Sequence, residues 1–310
     1  MSVLEYAWVL IKELDIEYLE WIIWIFYPVL ISFLLPLVLL LFFYGSALFL
    51  QIYQYHYRIQ DAYAHDLWDG ARKSLAAMWY AQARVWHGYE LIGLEKLPQH
   101  GPGLIIYYHG TLPVDFYYLT ALCLIKKNRH IRAVGDKFLF SIPGWKILME
   151  VFKVTPGTLH SCVDVISEGH LLGIAPGGVR EALFGDETYP IIWGKRMGFA
   201  KVAVQTNVPV YPVFTQNVRE AFRTPSICKK LLRRLYERTR LPVVPIYGFF
   251  PVKLRTFIGD PIFPGKDEAP DQFSERVEAE IKTMILKHQR IPGSIFHAFL
   301  DRFPWQQNTS

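Results

Sequence analysis

From Trp21 to Tyr57 the chain runs 37 residues without an Asp, Glu, Lys or Arg. No other feature limits the fold so strongly. An apolar stretch longer than about 18 residues is the mark of a membrane-spanning helix. At 1.5 Å per residue a straight helix of this length measures about 55 Å, against a hydrocarbon core of about 30 Å. One perpendicular span cannot use all of it. The expectation is a helical hairpin turning near Pro36, or one tilted span that continues along the interface. Trp21, Trp24, Tyr53, Tyr55 and Tyr57 supply aromatic anchors at both ends.

The flanks set orientation. Lys12 is the one basic residue before the run, and Arg58, Arg72, Lys73 and Arg84 follow it. The positive-inside rule then puts the C-terminal bulk in the cytosol. Residues 1–20 carry Glu5, Glu13, Asp15, Glu17 and Glu20, with apolar Leu10, Leu14 and Tyr18 at helical spacing. That reads as a short amphipathic helix and not as a secretory signal, whose first region is basic. Three segments result: 1–20 amphipathic, 21–57 membrane-embedded, and 58–310 a cytosol-facing domain.

Within that domain, residues 61–87 read as a helix with Leu67, Ala71, Leu75, Met78 and Trp79 on one stripe. After Gly101-Pro102-Gly103 the pattern alternates. Apolar runs at 104–108, Ile131–Val134, Leu171–Ala175 and Val208–Phe214 are separated by helix-like stretches. This is the pattern of βαβ units in an α/β fold, a largely parallel sheet flanked by helices. Val243–Tyr247 and Val252–Ile258 read as added strands. A closing helix over 271–290 takes Asp271 as cap, turns Phe273, Val277, Ile281 and Ile285 inward, and stops at Pro292.

The first run, LIIYYHGTLPVD, is wholly apolar until it stops at His109. Thr111 reads as the N-cap of the next helix, with Pro113 in its first turn. His109 is thereby placed at the carboxyl end of a buried strand, where open α/β sheets bind ligands. Asp115 follows six positions later, and a carboxylate returning across the turn would fix the imidazole tautomer. The bland alternative is a core histidine beside a helix-start carboxylate. The third run ends in Pro176, Gly177, Gly178, Val179, Arg180 and Glu181. Two glycines after a strand let a ligand approach bare backbone, and Arg180 offers a fork for a phosphate or carboxylate. Its alternative is an ordinary glycine turn with a surface Arg180–Glu181 pair. The fourth run, VPVYPVF, holds Pro209 and Pro212, which point to a sheet edge or an irregular strand lining a site.

Composition narrows the classes. The chain is 52% hydrophobic and 15% aromatic, high for a soluble enzyme. A net charge of +5 does not argue for nucleic acid. The densest basic group, Lys229, Lys230, Arg233 and Arg234, reads as a solvated helix face. Cys123, Cys162 and Cys228 form neither a disulfide framework nor a zinc pattern. No G-x-S-x-G, H-E-x-x-H or CxxC occurs, which argues against a serine hydrolase of the α/β-hydrolase type and gives a metal enzyme little support.

His109…Asp115, PGGVR and VPVYP occur in the order and spacing of the glycerolipid acyltransferase motifs, and the stretch from about 88 to 290 resembles that family. Gly-Gly in place of Glu-Gly, WGKRMGFAKVAV, PVFTQNVREAF and IGDPI resemble its diacylglycerol acyltransferase 2 branch. The departures are specific. Five residues separate His from Asp where the family has four, and the usual Glu is Gly177. The region VFKVTPGT holds no Arg for a glycerol phosphate; Lys153 is its nearest cation.

The resemblance implies an endoplasmic-reticulum O-acyltransferase acting on diacylglycerol or monoacylglycerol, with acyl-CoA as co-substrate, no resident cofactor and membrane lipids as partners. His109 and Asp115 would be catalytic. Pro176, Gly177, Gly178, Arg180, Glu181 and Pro212 would bind substrate. Backbone amides after Gly177 and Gly178, or Arg180, would meet developing negative charge. A lysophospholipid acyltransferase and a non-enzymatic lipid-binding scaffold are the rival readings. Oligomeric state stays open.

Overall fold

One helix, α1 (Tyr18–Tyr57), carries the whole uncharged run in the computed structural model, which describes residues 18–57, 68–226 and 229–303. The hairpin is not formed: Pro28 and Pro36 both lie inside the helix. A proline removes one backbone bond and bends a helix, whereas reversal needs a loop, and the residues around Pro36 are apolar and mostly leucine, with no turn former among them. The two halves of α1 differ. From Trp21 to Leu34 every large apolar side chain is exposed. Further on, Leu39, Ala47 and Leu50 are buried, packed against α2 (Asp69–His87) and α4 (Lys146–Val151). Among the described residues α1 is the one helix long and apolar enough to cross a membrane. The amphipathic reading over 1–20 falls almost wholly outside the described residues, as does Leu67 of the next stripe; Ala71, Leu75 and Trp79 of that stripe are buried.

A seven-stranded sheet follows. In chain order its strands are β1 (Glu90–Ile92), β2 (Gly103–Tyr107), β3 (Ile131–Gly135), β4 (Val154–Pro156), β5 (Leu171–Ile174), β6 (Val210–Gln216) and β9 (Arg255–Ile258). They stand in the order β1-β9-β6-β2-β5-β3-β4, and every neighbouring pair is parallel except β6 with β9. β2 is central and buried along its whole length, as a charge-free run requires. Helices α3 (Val114–Lys127), α5 (Leu159–Ser167), α7 (Gly198–Thr206) and α10 (Pro270–His288) cover the sheet. Phe273, Val277, Ile281 and Ile285 of α10 face the core as the periodicity requires, although the cap is Ala269, with Pro270 opening the helix.

Several expectations shift. Val243–Tyr247 does not join the sheet; Pro242 precedes it and Pro245 interrupts it. Only Tyr247–Gly248 (β8) is extended, paired with Phe222–Arg223 (β7) in a separate ribbon. Thr111 does not cap α3. Pro113 occupies the cap position with no side-chain bond, and Thr111 is buried. Pro212 is not at an edge: β6 lies between β2 and β9. Its carbonyl accepts from Gly259 N (2.8 Å), so the missing N–H faces the point where β9 leaves the ladder. A Cβ at Gly259 would lie 2.7 Å from Pro212 Cγ, and Val210 exchanges both backbone bonds with Ile262, so IGDPI and VPVYP are tied by packing and by the main chain.

Candidate active site

β2 and β5 are parallel neighbours with Ile106 opposite Ile174, so their carboxyl ends open at one sheet edge. His109 leaves the first and Ala175–Gly178 leave the second. Between them and the inner half of α1 lies a cavity of about 1080 Å³. His109, Pro176 and Gly178 line it, and so do Leu39, Phe43 and Ser46 of α1. Its wall is mainly apolar and aromatic, with Trp79, Tyr107, Phe116 and Trp145 among the lining side chains.

The backbone of His109 is held from two sides. Its N–H donates to Glu181 Oε2 (2.9 Å), and its carbonyl accepts from Arg219 Nη2 (3.1 Å). The ring Nδ1 lies 2.6 Å from the Gly110 carbonyl. A carbonyl only accepts, so Nδ1 carries the proton and Nε2 is left as the basic nitrogen. Removal from bulk water is the main cause that lowers the imidazole pKa to about 4; the Gly110 bond opposes it and Arg219 adds to it. The ring is neutral at physiological pH.

Asp115 is not its partner. No hydrogen bond joins the two side chains among the described residues. Asp115 is buried in the first turn of α3, its Oδ1 without a partner. Burial raises its pKa to about 6, against the Thr215 hydroxyl and the Phe116 amide, which pull it down. The extra residue between His109 and Asp115 is absorbed in the turn, and the Gly110 carbonyl takes the place at Nδ1 expected for the carboxylate.

The glycine turn also works differently. A Cβ at Gly177 would overlap the Cβ of Glu181 and lie 2.5 Å from its Oε2. Gly177 makes room for a side chain of the chain itself, and it does not line the cavity. Glu181, wholly buried in α6 (Gly178–Phe184), accepts from the amides of His109 and of Ile192 (2.9 Å each). The carboxylate missing at 177 is thus supplied from 181, one helical turn on. Burial raises its pKa to about 7, opposed by the two amides and by Arg219 and Arg196. Gly178 adopts a left-handed φ of +50° that favours glycine, and its amide is spent on the Ala175 carbonyl (3.0 Å).

Arg180 points elsewhere than expected. It does not line the cavity, and its Nη2 lies 3.7 Å from Glu237 Oε1 on α9 (Lys229–Thr239). Arg196 takes the cavity position: it lines the opening, and its Nη1 donates to the carbonyls of Gly177 (2.7 Å) and Pro176 (3.3 Å). Lys137, Lys195 and Lys201, all exposed, line the same opening. Lys153 does not. Pro212 and Glu181 do not line it either.

Arg219, from PVFTQNVREAF, braces this site, and nothing in the sequence analysis singled it out. It is buried, donates to the Glu181 and His109 carbonyls through Nη2 and to the Tyr108 hydroxyl through Nε, and stacks over the Tyr108 ring. A Cβ at Gly185 would overlap its guanidinium. The available signal was the charged VRE triplet directly after a buried strand. Among the described residues no group of His, Cys, Asp and Glu is arranged to hold a metal ion.

A family model described as acyltransferase matches residues 89–216, the span from β1 to the end of β6. A human protein, "DGAT1/2-independent enzyme synthesizing storage lipids", is 47% identical over 298 residues, covering 96% of this chain and 91% of its own. Its mouse counterpart is 48% identical over 303 residues, covering 97% and 91%. A solved structure of PlsC from Thermotoga maritima, a 1-acyl-sn-glycerophosphate (LPA) acyltransferase, covers 81% of this chain and 96% of its own. It does so with a TM-score of 0.53 at 18% identity, a likeness of fold. With the shared parallel sheet and a histidine at its carboxyl edge, these matches make the chain a glycerolipid-type acyltransferase: it belongs to the family of the DGAT1/2-independent enzymes that synthesize storage lipids.

Proposed function

We propose that the chain is a membrane-bound O-acyltransferase of the endoplasmic reticulum, its catalytic domain facing the cytosol, and that it esterifies diacylglycerol or monoacylglycerol to give triacylglycerol. One observation carries this reading: the neutral imidazole of His109 opens on a large apolar cavity whose wall includes the inner half of a helix long enough to span a bilayer. The storage lipids named for the relatives point to the same product class.

Nε2 of His109 accepts the proton of the acceptor hydroxyl as its oxygen attacks the thioester carbonyl. The tetrahedral intermediate collapses, the ester forms, and the leaving thiolate recovers that proton from the imidazolium. The Gly110 carbonyl orients the ring, and Glu181 and Arg219 fix its backbone from opposite sides. Asp115 supports the first turn of α3 behind this wall. Lys137, Lys195, Arg196 and Lys201 at the opening suit the phosphates of an acyl-CoA donor. With those cations given to the donor and Lys153 outside the cavity, an acceptor without a phosphate fits best.

Purified full-length protein in vesicles, given an acyl-CoA and either dioleoylglycerol or lysophosphatidate, tests the proposal. Faster acylation of dioleoylglycerol supports it. Preferential acylation of lysophosphatidate replaces it with the lysophospholipid reading. Turnover of neither, with His109→Ala indistinguishable from wild type, leaves the scaffold.

A further inference from the structure

Helix α9 carries an apolar arc that the protein covers only in part. Tyr236 is buried, packed with Leu183, Phe184, Val244 and partly buried Leu232. At 100° per residue Leu231 and Leu235 continue that arc on its outer side, and they are 63% and 43% exposed. The next loop adds Leu241 (55%) and Val243 (61%). Arg234 and Arg238 flank the exposed leucines on the side away from the core. From Lys229 to Arg240 there are six basic residues and one acid, Glu237. Lys229 pairs with Asp186 and Arg233 with Glu237; among the described residues no acid pairs with Lys230, Arg234, Arg238 or Arg240.

The position of this patch along α1 is informative. The Tyr247 ring, four residues after Val243, lies 5.6 Å from that of Phe33 on α1. Phe33 is twelve residues from Trp21, so only about 18 Å of helix separates the aromatic end of the run from the level of Tyr247. A hydrocarbon core is about 30 Å thick. For α1 to cross it, the domain surface around Tyr247 must lie roughly 12 Å inside the hydrocarbon. The loop that leads into Tyr247 carries exposed apolar side chains, Leu241 and Val243. Pro242 and Ile246 of that loop line the cavity together with Leu39 and Phe43 of α1.

We propose that α9 and the 240–246 loop form a second membrane-seated element. Leu231, Leu235, Leu241 and Val243 enter an anionic leaflet, and the unpaired cations reach its headgroups. The cavity wall between this loop and α1 then opens sideways to lipid in that leaflet. The element is tied to the glycine turn by the Arg180–Glu237 pair and by Val179, which packs against the Tyr236 cluster and lines the cavity. Arg180, unused by the chemistry, acquires its role here. The proposal rests on α1 being a span, and the test separates the two.

The test uses the full chain with Cys228→Ser, the buried Cys123 and Cys162 retained, and one nitroxide per protein at Leu30→Cys, Leu235→Cys, Val243→Cys or Arg238→Cys. Vesicles of phosphatidylcholine are compared with vesicles that also contain phosphatidylserine. Relaxation by oxygen against a water-soluble nickel chelate reads depth. Leu30, Leu235 and Val243 are expected in the oxygen-favoured, chelate-excluded zone, and Arg238 at the water side. Lys230→Glu with Arg234→Glu should shift the Leu235 label outward by several ångströms in the anionic vesicles and leave the Leu30 label unmoved. Chelate access at 235 and 243 with Leu30 protected overturns the proposal and keeps the span. Chelate access at all three overturns both. Spin–spin coupling between Leu235 labels, independent of lipid charge, means that a second copy covers the patch, and also overturns it.

Discussion

Gly177→Ala is the substitution whose consequence follows most directly from the packing. The added methyl would overlap Cβ and the carboxylate of Glu181, and Cβ cannot swing away as a side-chain tip can. Glu181 must move, and the amides of His109 and Ile192 lose their acceptor. A buried donor left unsatisfied costs about 1–3 kcal/mol, so the pair costs roughly 2–6 kcal/mol. For a chain of this size that lowers the melting temperature by roughly 3–9 °C. The His109 backbone also loses one of its two anchors, so acyl transfer should fall more than tenfold where the protein remains folded. Glu181→Ala removes the same two bonds, and the double variant should cost little more than either single one, a non-additivity of about 2 kcal/mol or more. Melting in detergent micelles and initial rates in vesicles give both readouts. Should Gly177→Ala melt within about 2 °C of wild type at full rate, or should the two costs simply add, the reasoning that room at 177 exists for the carboxylate of 181 is refuted.

The remaining expectations concern charge. His109 is neutral down to a pKa of about 4, so kcat/KM should not fall through the ordinary imidazole range near 6.5; its acid limb should appear only as pH approaches about 4, read in a pH–rate profile. Arg196→Ala should raise KM for the acyl-CoA several-fold. Arg180→Ala should leave that KM unchanged and alter the melting temperature by a degree or two, since its partly exposed pair with Glu237 is worth about 0–1 kcal/mol. Arg219→Met leaves the buried His109 and Glu181 carbonyls without their donor, with an expected cost of about 2–6 kcal/mol and loss of expression or activity; equal yield and rate would contradict its bracing role.

How much of this was legible in the sequence depended on the range of the forces involved. Burial on both faces writes itself into consecutive residues, so β2, β5 and the core of β6 could be read directly, and with them the placement of His109 at a sheet edge. β1 and β4 are three residues each and carry too little pattern. The 243–247 run misled because Pro245 interrupts it, leaving Val244 to pack under α9 and Val243 to face outward. The site was half legible. Pro176 and Gly178 line the cavity, but Asp115 makes no bond to the ring, whose Nδ1 meets the Gly110 carbonyl instead. Gly177 read as space for a ligand when its space belongs to Glu181, four residues on. Pro212 read as a site residue when its missing donor coincides with the end of the β6–β9 ladder. Arg219 escaped because its partners, at 108, 109 and 181, are distant in sequence.

The central claim is that His109 is the base and that a backbone carbonyl, not Asp115, orients it. Acyl transfer to dioleoylglycerol by purified His109→Ala and Asp115→Asn, side by side in the same vesicles, tests it most directly. His109→Ala should lose at least ~10²-fold, the range that general base catalysis supplies, while Asp115→Asn stays within about tenfold of wild type. Wild-type rates from His109→Ala would end the enzyme assignment of this site, and equal, large losses from both would restore the carboxylate as the partner of the ring.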